Sequence, residues 1–334
     1  MLCAATSKGA YVTLYSGTSW KPFGKETISP LMTIAATGSG ESKMVLAGTY
    51  GTGVAKYEAS GDIWEPMNRG LKGANIKDAS THPTNPEIIY AGGEGLIVKS
   101  VDSGRTWQQV WGGYDSIEAM AINPHSPDTI FAVGFESWKS TDGGLSCNQM
   151  ASQAGFPKHI LVFEKNPQFV YVQYASGVGR SIDGGETWSE YGMSTFSIMM
   201  PYDLCGGLAM DPKHPYRLYG ARYGVGMMKS KNGAYMTLDL GENWTFAGLS
   251  KRDVSCLTFS TGYPKALCAG TYSDGRGTGG VFRSTDGGST WSELNDGLPP
   301  QHRDIWRLTS DRAGLGILLA VSFKGRLFAA QDLP

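Results

Sequence analysis

Five acidic residues stand in short segments that each precede an apolar, strand-like run: Asp115, Glu118, Asp203, Asp253 and Asp304. Carboxyl groups can protonate a leaving oxygen or activate water, and a glycosidic bond is cut by two of them held about 5 to 10 Å apart. Spacing along the chain does not choose the pair, and the plainer reading is that they are solvated loop charges or members of ion pairs. The same segments carry Lys77 with Asp78, Lys158 with His159, Arg252 and Arg303. Of these, the two arginines are the candidates for binding.

A second set is aromatic. Tyr50, Phe135, Tyr174, Tyr223, Tyr272 and Phe323 each follow a short apolar run at a comparable place. Large rigid rings on one face can stack on sugars or anchor a protein partner, since both uses exploit area at low entropic cost. The competing reading is that they pack on neighbouring loops.

A third set is repeated almost word for word. Lys99 to Trp107, Arg180 to Trp188 and Arg283 to Trp291 share the pattern Ser-x-Asp-x-Gly-x-Thr-Trp; Lys139 to Cys147 keeps it with cysteine in place of tryptophan. Thr237 to Trp244 keeps the aspartate, glycine and tryptophan, and eroded copies end at Trp64 and Trp20. One aspartate per loop offers too few oxygens for calcium. Asp102, Asp142, Asp183, Asp239 and Asp286 are therefore expected to close tight turns, and Trp107, Trp188, Trp244 and Trp291 to pack between repeats.

These repeats recur about every 45 residues, the period of four-stranded propeller blades and not of helical solenoids. Each parses into an inner strand, a turn often marked by proline, as in Asn123-Pro124 and Asp211-Pro212, and three further strands. Eight units are countable, at 1–27, 28–72, 73–113, 114–155, 156–200, 201–250, 251–299 and 300–334, and the middle six are complete. The expectation is one all-β domain over residues 1–334, a propeller of seven or eight blades. The turns bearing the aspartates then share one face, and the aromatic turns and charged links share the other.

Composition agrees. Glycine is 46 of 334 residues, and 18% of residues are charged, against about 7% glycine and about 25% charged in an average chain. The net charge of -1 calls for neither nucleic acid nor an anionic membrane. The longest apolar run, Ile317 to Val321, is far short of the ~20 residues that span a bilayer. Residues 1–10 lack the basic and apolar segments of a secretory signal, which gives a cytoplasmic reading, with a secreted domain whose signal has been removed as the alternative. The five cysteines form no paired motif and the five histidines no cluster, so neither a disulfide framework, a metal nor a cofactor is expected. Gly38 to Lys43 lacks the spacing of a phosphate loop.

The repeated pattern resembles the Asp-box, or BNR repeat, of sialidases, xyloglucanases, sortilin-type receptors and photosystem assembly factors of the Ycf48 kind. That resemblance implies a propeller of the WD40/YVTN/BNR-like superfamily without implying one activity. Sialidases use an early Arg-Ile-Pro motif, absent here, and xyloglucanases imply two propellers clasping a polymer where this chain holds one. The leading expectation is a non-catalytic binding or scaffold propeller that recognises a protein or glycan on the face opposite the Asp-boxes. The alternative is a glycoside hydrolase-like enzyme with acidic residues in a central funnel.

Overall fold

The computed structural model describes residues 2–4, 11–13, 31–37, 44–58, 63–71, 74–150, 157–174, 177–192, 207–214, 216–222, 232–260, 266–272, 278–300, 303–310, 317–322 and 327–331. Among them there is no α-helix, and every sheet is an antiparallel meander. A two-stranded sheet joins β1 (Leu2–Ala4) and β2 (Tyr11–Thr13). The first blade-type sheet is β3 (Leu31–Thr37), β4 (Met44–Thr49), β5 (Gly53–Glu58) and β6 (Ile63–Pro66). The second is β7 (Ile76–Thr81), β8 (Ile89–Ser100) and β9 (Gln108–Ser116), and the third is β10 (Ala119–Ile122), β11 (Ile130–Val133), β12 (Ser137–Ser140) and β13 (Asn148–Gln149). The fourth is β14 (Pro157–Val162), β15 (Val170–Tyr174), β16 (Gly177–Ser181) and β17 (Ser189–Gly192). The fifth is β18 (Leu208–Met210), β19 (Leu218–Arg222), β20 (Gly233–Thr237) and β21 (Thr245–Phe246), and the sixth is β22 (Asp253–Phe259), β23 (Leu267–Tyr272), β24 (Gly280–Ser284) and β25 (Ser292–Glu293). Last comes a three-stranded sheet, β26 (Ile305–Ser310), β27 (Ile317–Ser322) and β28 (Leu327–Gln331).

The second sheet is four-stranded in substance. The N–H of Ser103 donates to the carbonyl of Glu87 at 2.9 Å, so the two ends of β8 lie side by side and the strand doubles back on itself. Gly95, at φ 73°, lies in the stretch where it folds. Six blade-type sheets are thus described, coinciding with the six complete repeats. Among the described residues the complete blades number six, against the seven or eight expected for the whole chain; the terminal repeats supply two strands at the amino end and three at the carboxyl end, and the third amino-terminal strand expected at Trp20 to Phe23 lies outside the described residues.

The chain divides into two compact units, one of Met1–Leu31, Tyr57–Trp64 and Met200–Pro334, the other of Met32–Lys56 and Glu65–Met199. Each has its own core, because small and β-branched residues of the second and third strands meet the inner strand of the next sheet. In the second unit Leu46, Val54, Ile76, Ile89, Val98 and Trp107 form one such cluster, and Phe131, Val133, Val170, Val172 and Tyr174 another. In the first unit Tyr219, Ala234, Val254, Leu267 and Phe282 do the same.

The repeated aspartate turn is built identically in five sheets. In the second, the Ser100 hydroxyl donates to Asp102 Oδ1 at 2.8 Å and accepts the Gly104 N–H at 2.8 Å. The Thr106 N–H donates to Asp102 Oδ1 at 2.8 Å and its hydroxyl to Oδ2. The same bonds recur about Asp142, Asp183, Asp239 and Asp286, with Ser146 and Asn243 replacing the threonine at Asp142 and Asp239 and Thr237 replacing the serine at Asp239. The tryptophan that follows reaches the preceding sheet: Trp107 Nε1 donates to the Met67 carbonyl, and Trp291 Nε1 to that of Ala247, both at 2.8 Å. Trp188 and Trp244 donate within their own turns.

These hydrogen bonds to the charged form depress the carboxyl pKa. The Ser146 hydroxyl and N–H, with Ser140, hold Asp142 at about 2, and Thr290 with Ser284 holds Asp286 at about 2. Thr187 holds Asp183 well below the usual range. A carboxyl whose folded pKa is depressed adds stability above its unfolded value, near 3.8, which is lost as pH falls through the folded value. Carboxyl-carbon NMR titration is expected to give midpoints of about 2 for Asp142 and Asp286; midpoints near 3.8 would contradict the hydrogen bonding described here.

Candidate functional site

The inner strands begin at the end of each sheet where the second turn and the incoming link also lie. Ile76 sits opposite Gly93 in the register of β7 with β8, and the Ile117 N–H donates to the Gly93 carbonyl at 3.0 Å. This link end, away from the aspartate turns, carries most of the chemistry-bearing residues singled out above.

In the second unit, three successive inner segments contribute a clasp. Lys77 and Lys158 occupy β-bulges at the starts of β7 and β14, which re-aim their side chains. Glu118, just before β10, takes both: its Oε1 lies 2.7 Å from Lys77 Nζ and its Oε2 lies 3.4 Å from Lys158 Nζ. Burial pushes the Glu118 carboxyl up, but the Lys77 hydrogen bond and the charges of Lys158 and Lys77 outweigh it, so the pKa falls below the ordinary value. An ionised, doubly paired carboxylate is unsuited to act as a general acid. Beneath the clasp, Asp78 accepts the Thr33 hydroxyl at 3.0 Å and the Met120 N–H at 2.8 Å, tying three sheets together.

Asp115 is a turn clamp. Its carboxylate accepts the N–H groups of Ser116 at 2.7 Å, Phe135 at 2.9 Å and Glu136 at 2.8 Å. Those bonds fix the second turn of the third sheet and leave the Phe135 ring 68% exposed. Tyr50, at the second turn of the first sheet, is 56% exposed, and Tyr114, near the end of β9 and just ahead of Asp115, is fully exposed. Tyr174 is different: it is buried in the core cluster of Phe131 and Val172, because its ring lies over Gly179, where an added Cβ would come within 3.0 Å. Tyr272 is half-buried, while Tyr223, Phe323 and Asp203 lie outside the described residues. Tyr114 escaped the sequence reading because it lies near the end of β9, outside the second-turn pattern.

In the first unit, Asp253 and Asp304 hold equivalent positions, each just before a buried residue, Val254 and Ile305. Asp253 takes a hydrogen bond from the Asn232 side-chain amide, and Asp304 is buried. Arg252 donates from Nη1 to the Thr278 carbonyl at 2.9 Å, and its guanidinium stands 4.5 Å over the Phe282 ring. Arg303 donates from Nε to the Leu298 carbonyl at 3.1 Å.

Arg303 also lines an open cleft of about 510 Å³ shared with Glu293, Asn295, Asp296, Leu298 and Pro299. Glu293 and Asp296 were not foreseen, since Glu293 ends the outer strand β25 and Asp296 follows it, instead of preceding an inner strand. No group of three or more metal-ligating side chains occurs among the described residues, and no helix there is long and apolar enough to cross a membrane.

No family model matches the chain. A xyloglucanase from a Paenibacillus species is 22% identical over 377 residues, taking in 89% of this chain and 35% of the relative. An ancestral GH74 enzyme superposes with a TM-score of 0.69 at 17% identity, over 95% of this chain and 46% of that one. The GH74 xyloglucanase of Xanthomonas campestris gives 0.66 at 15% identity, over 99% and 53%. A structure of YCF48 bound to D1 peptide gives 0.53 at 17% identity, over 76% and 82%. The fold is that of a β-propeller. The chain spans about half the length of the solved enzymes it matches and about a third of the curated relative.

Proposed function

We propose that the chain is a carbohydrate-active propeller of the glycoside-hydrolase kind, which engages a β-linked polysaccharide on its link end, and that its repeats are Asp-boxes. The observation that carries the glycan reading is the exposure of Tyr50, Tyr114 and Phe135 at the link end of the sheets of one unit. Exposed rings at one end of the sheets offer large rigid area for stacking on sugar faces, and the Asp115 hydrogen bonds hold the Phe135 turn in place. The kinship with xyloglucanases makes xyloglucan the first polymer to test. This favours the carbohydrate-active alternative over the scaffold expected first from the sequence.

One observation keeps a binding-only version in play: Asp115 and Glu118 are committed to backbone N–H groups and to lysines, respectively. Affinity electrophoresis on xyloglucan, mixed-linkage glucan and cellulose, beside an assay for reducing ends, separates the versions. Retardation by xyloglucan is expected, weakened about tenfold by Tyr114→Ala or Phe135→Ala, since each removes roughly 1 to 1.5 kcal/mol of stacking. Reducing-end release distinguishes the hydrolase from the binder. No retardation by any polysaccharide would overturn the proposal.

A further inference from the structure

We infer that the cleft lined by Glu293, Asn295, Asp296, Leu298, Pro299 and Arg303 is a subsite for adjacent hydroxyls of a sugar ring, an inference that rests on the glycan reading above. The molecule contains its own control for this cleft. In the sixth sheet the Leu294 N–H donates to the Val281 carbonyl at 2.8 Å, Asn295 Oδ1 accepts the Val281 N–H at 2.8 Å, and the Leu298 N–H closes on the Asn295 carbonyl at 2.9 Å. In the first sheet the Met67 N–H donates to the Val54 carbonyl, Asn68 Oδ1 accepts the Val54 N–H, and the Leu71 N–H closes on the Asn68 carbonyl. Asn-x-Gly-Leu is therefore a repeated link frame whose asparagine is structural.

The frame also constrains the strand beside it. Gly280 and Gly53 lie under the two asparagines, and a Cβ on either would come within 2.1 or 2.3 Å of the amide oxygen. What differs is what the frame presents. Where the first sheet has Pro66 and Arg69, the sixth has Glu293 and Asp296.

Each neighbour of the cleft positions one of its polar groups. Asn295 is 7% exposed and, besides accepting from the backbone, donates from Nδ2 to Glu293 Oε2 at 3.1 Å. Arg252 Nη2 stands 4.0 Å from Glu293 Oε1. Arg303 is anchored through Nε on the Leu298 carbonyl, which spends one of its five N–H donors. Gly279 allows the close approach of the Arg303 segment, because a Cβ there would fall 2.4 Å from the Arg303 carbonyl oxygen. The result is a pair of carboxylate acceptors and an arginine donor around one open cleft bordered by Leu298 and Pro299. Sugar hydroxyls both donate and accept, and a pyranose ring has apolar C–H faces, so this mixture fits a saccharide better than it fits a bare cation or an anion.

The test is titration of the protein with xyloglucan-derived oligosaccharides, followed by calorimetry and by amide shifts of residues 293–303. Asp296→Asn and Glu293→Gln are each expected to bind about tenfold more weakly than wild type, the loss of one charge-assisted hydrogen bond. Their thermal midpoints should stay unchanged, which separates a ligand contact from a folding defect. Wild-type binding with both variants within twofold, or with no shifts in residues 293–303, would overturn the subsite and leave the glycan reading intact. If wild type binds no oligosaccharide, the glycan reading fails and the subsite falls with it. Binding that requires added calcium and vanishes with a chelator would overturn it in favour of a cation site.

Discussion

Replacing Trp107 by alanine is expected to destabilise the protein by about 3 to 5 kcal/mol, the range seen for large aromatic deletions in well-packed cores. The ring is 6% exposed and packs with Leu46, Val54 and Ile89, so its removal opens a cavity between two sheets. Truncation also removes the 2.8 Å hydrogen bond from Nε1 to the Met67 carbonyl. Trp107→Phe isolates that bond: it keeps most of the volume and is expected to lose about 1 to 2 kcal/mol. Chemical denaturation of both variants checks the pair. An unchanged midpoint for Trp107→Ala would mean that the sheets are not held by these tryptophans.

The third sheet shows what the position costs when it is vacated naturally. Cys147 stands where the other turns have tryptophan, and the space there is bounded by Tyr90, Ile97, Val110 and Trp138. Trp138 packs on Trp111 with ring centroids 5.3 Å apart, so aromatic area lost from the turn is regained by a contact between β12 of the third sheet and the outer strand β9 of the second. Burial and the Asp142 charge push the Cys147 thiol up, which keeps it protonated at neutral pH.

Local rules explain what the sequence made legible. The aspartate turn can be read from residues because every partner lies within four positions, and the six complete sheets follow because each turn reports the strand on either side. Long-range hydrogen bonds have no such signature. Nothing in the chain near Asp115 announces that its carboxylate is spent on Phe135 and Glu136, some twenty residues away. Tyr174 follows the same pattern as Tyr50 and Phe135, yet it turns inward because Gly179 leaves room beneath it. Glu293 and Asp296 could have been found by aligning the links: Asn68-Arg69-Gly70-Leu71 and Asn295-Asp296-Gly297-Leu298 match at three of four positions, and the fourth reverses charge.

Glu118 supplies the second large expected effect. Its side chain is 24% exposed, with Lys77 at 20% and Lys158 at 36%, so the pairs lie between the surface and buried limits. Removing the carboxylate by Glu118→Ala leaves two ammonium groups facing one another without their counter-charge. The expected loss is about 1 to 3 kcal/mol, more than an exposed pair gives and less than a fully buried one. Because the folded pKa of Glu118 is depressed, its contribution is present above the unfolded value near 4.5 and disappears as pH falls through the folded value. The difference in stability between wild type and Glu118→Ala should therefore be widest at neutral pH and should shrink on acidification below about 4.5. Paired denaturation curves from pH 7 down to pH 3 measure it. A gap that stays constant over that range would mean that Glu118 acts through packing alone, and that the three inner strands are joined by the apolar contacts beneath it.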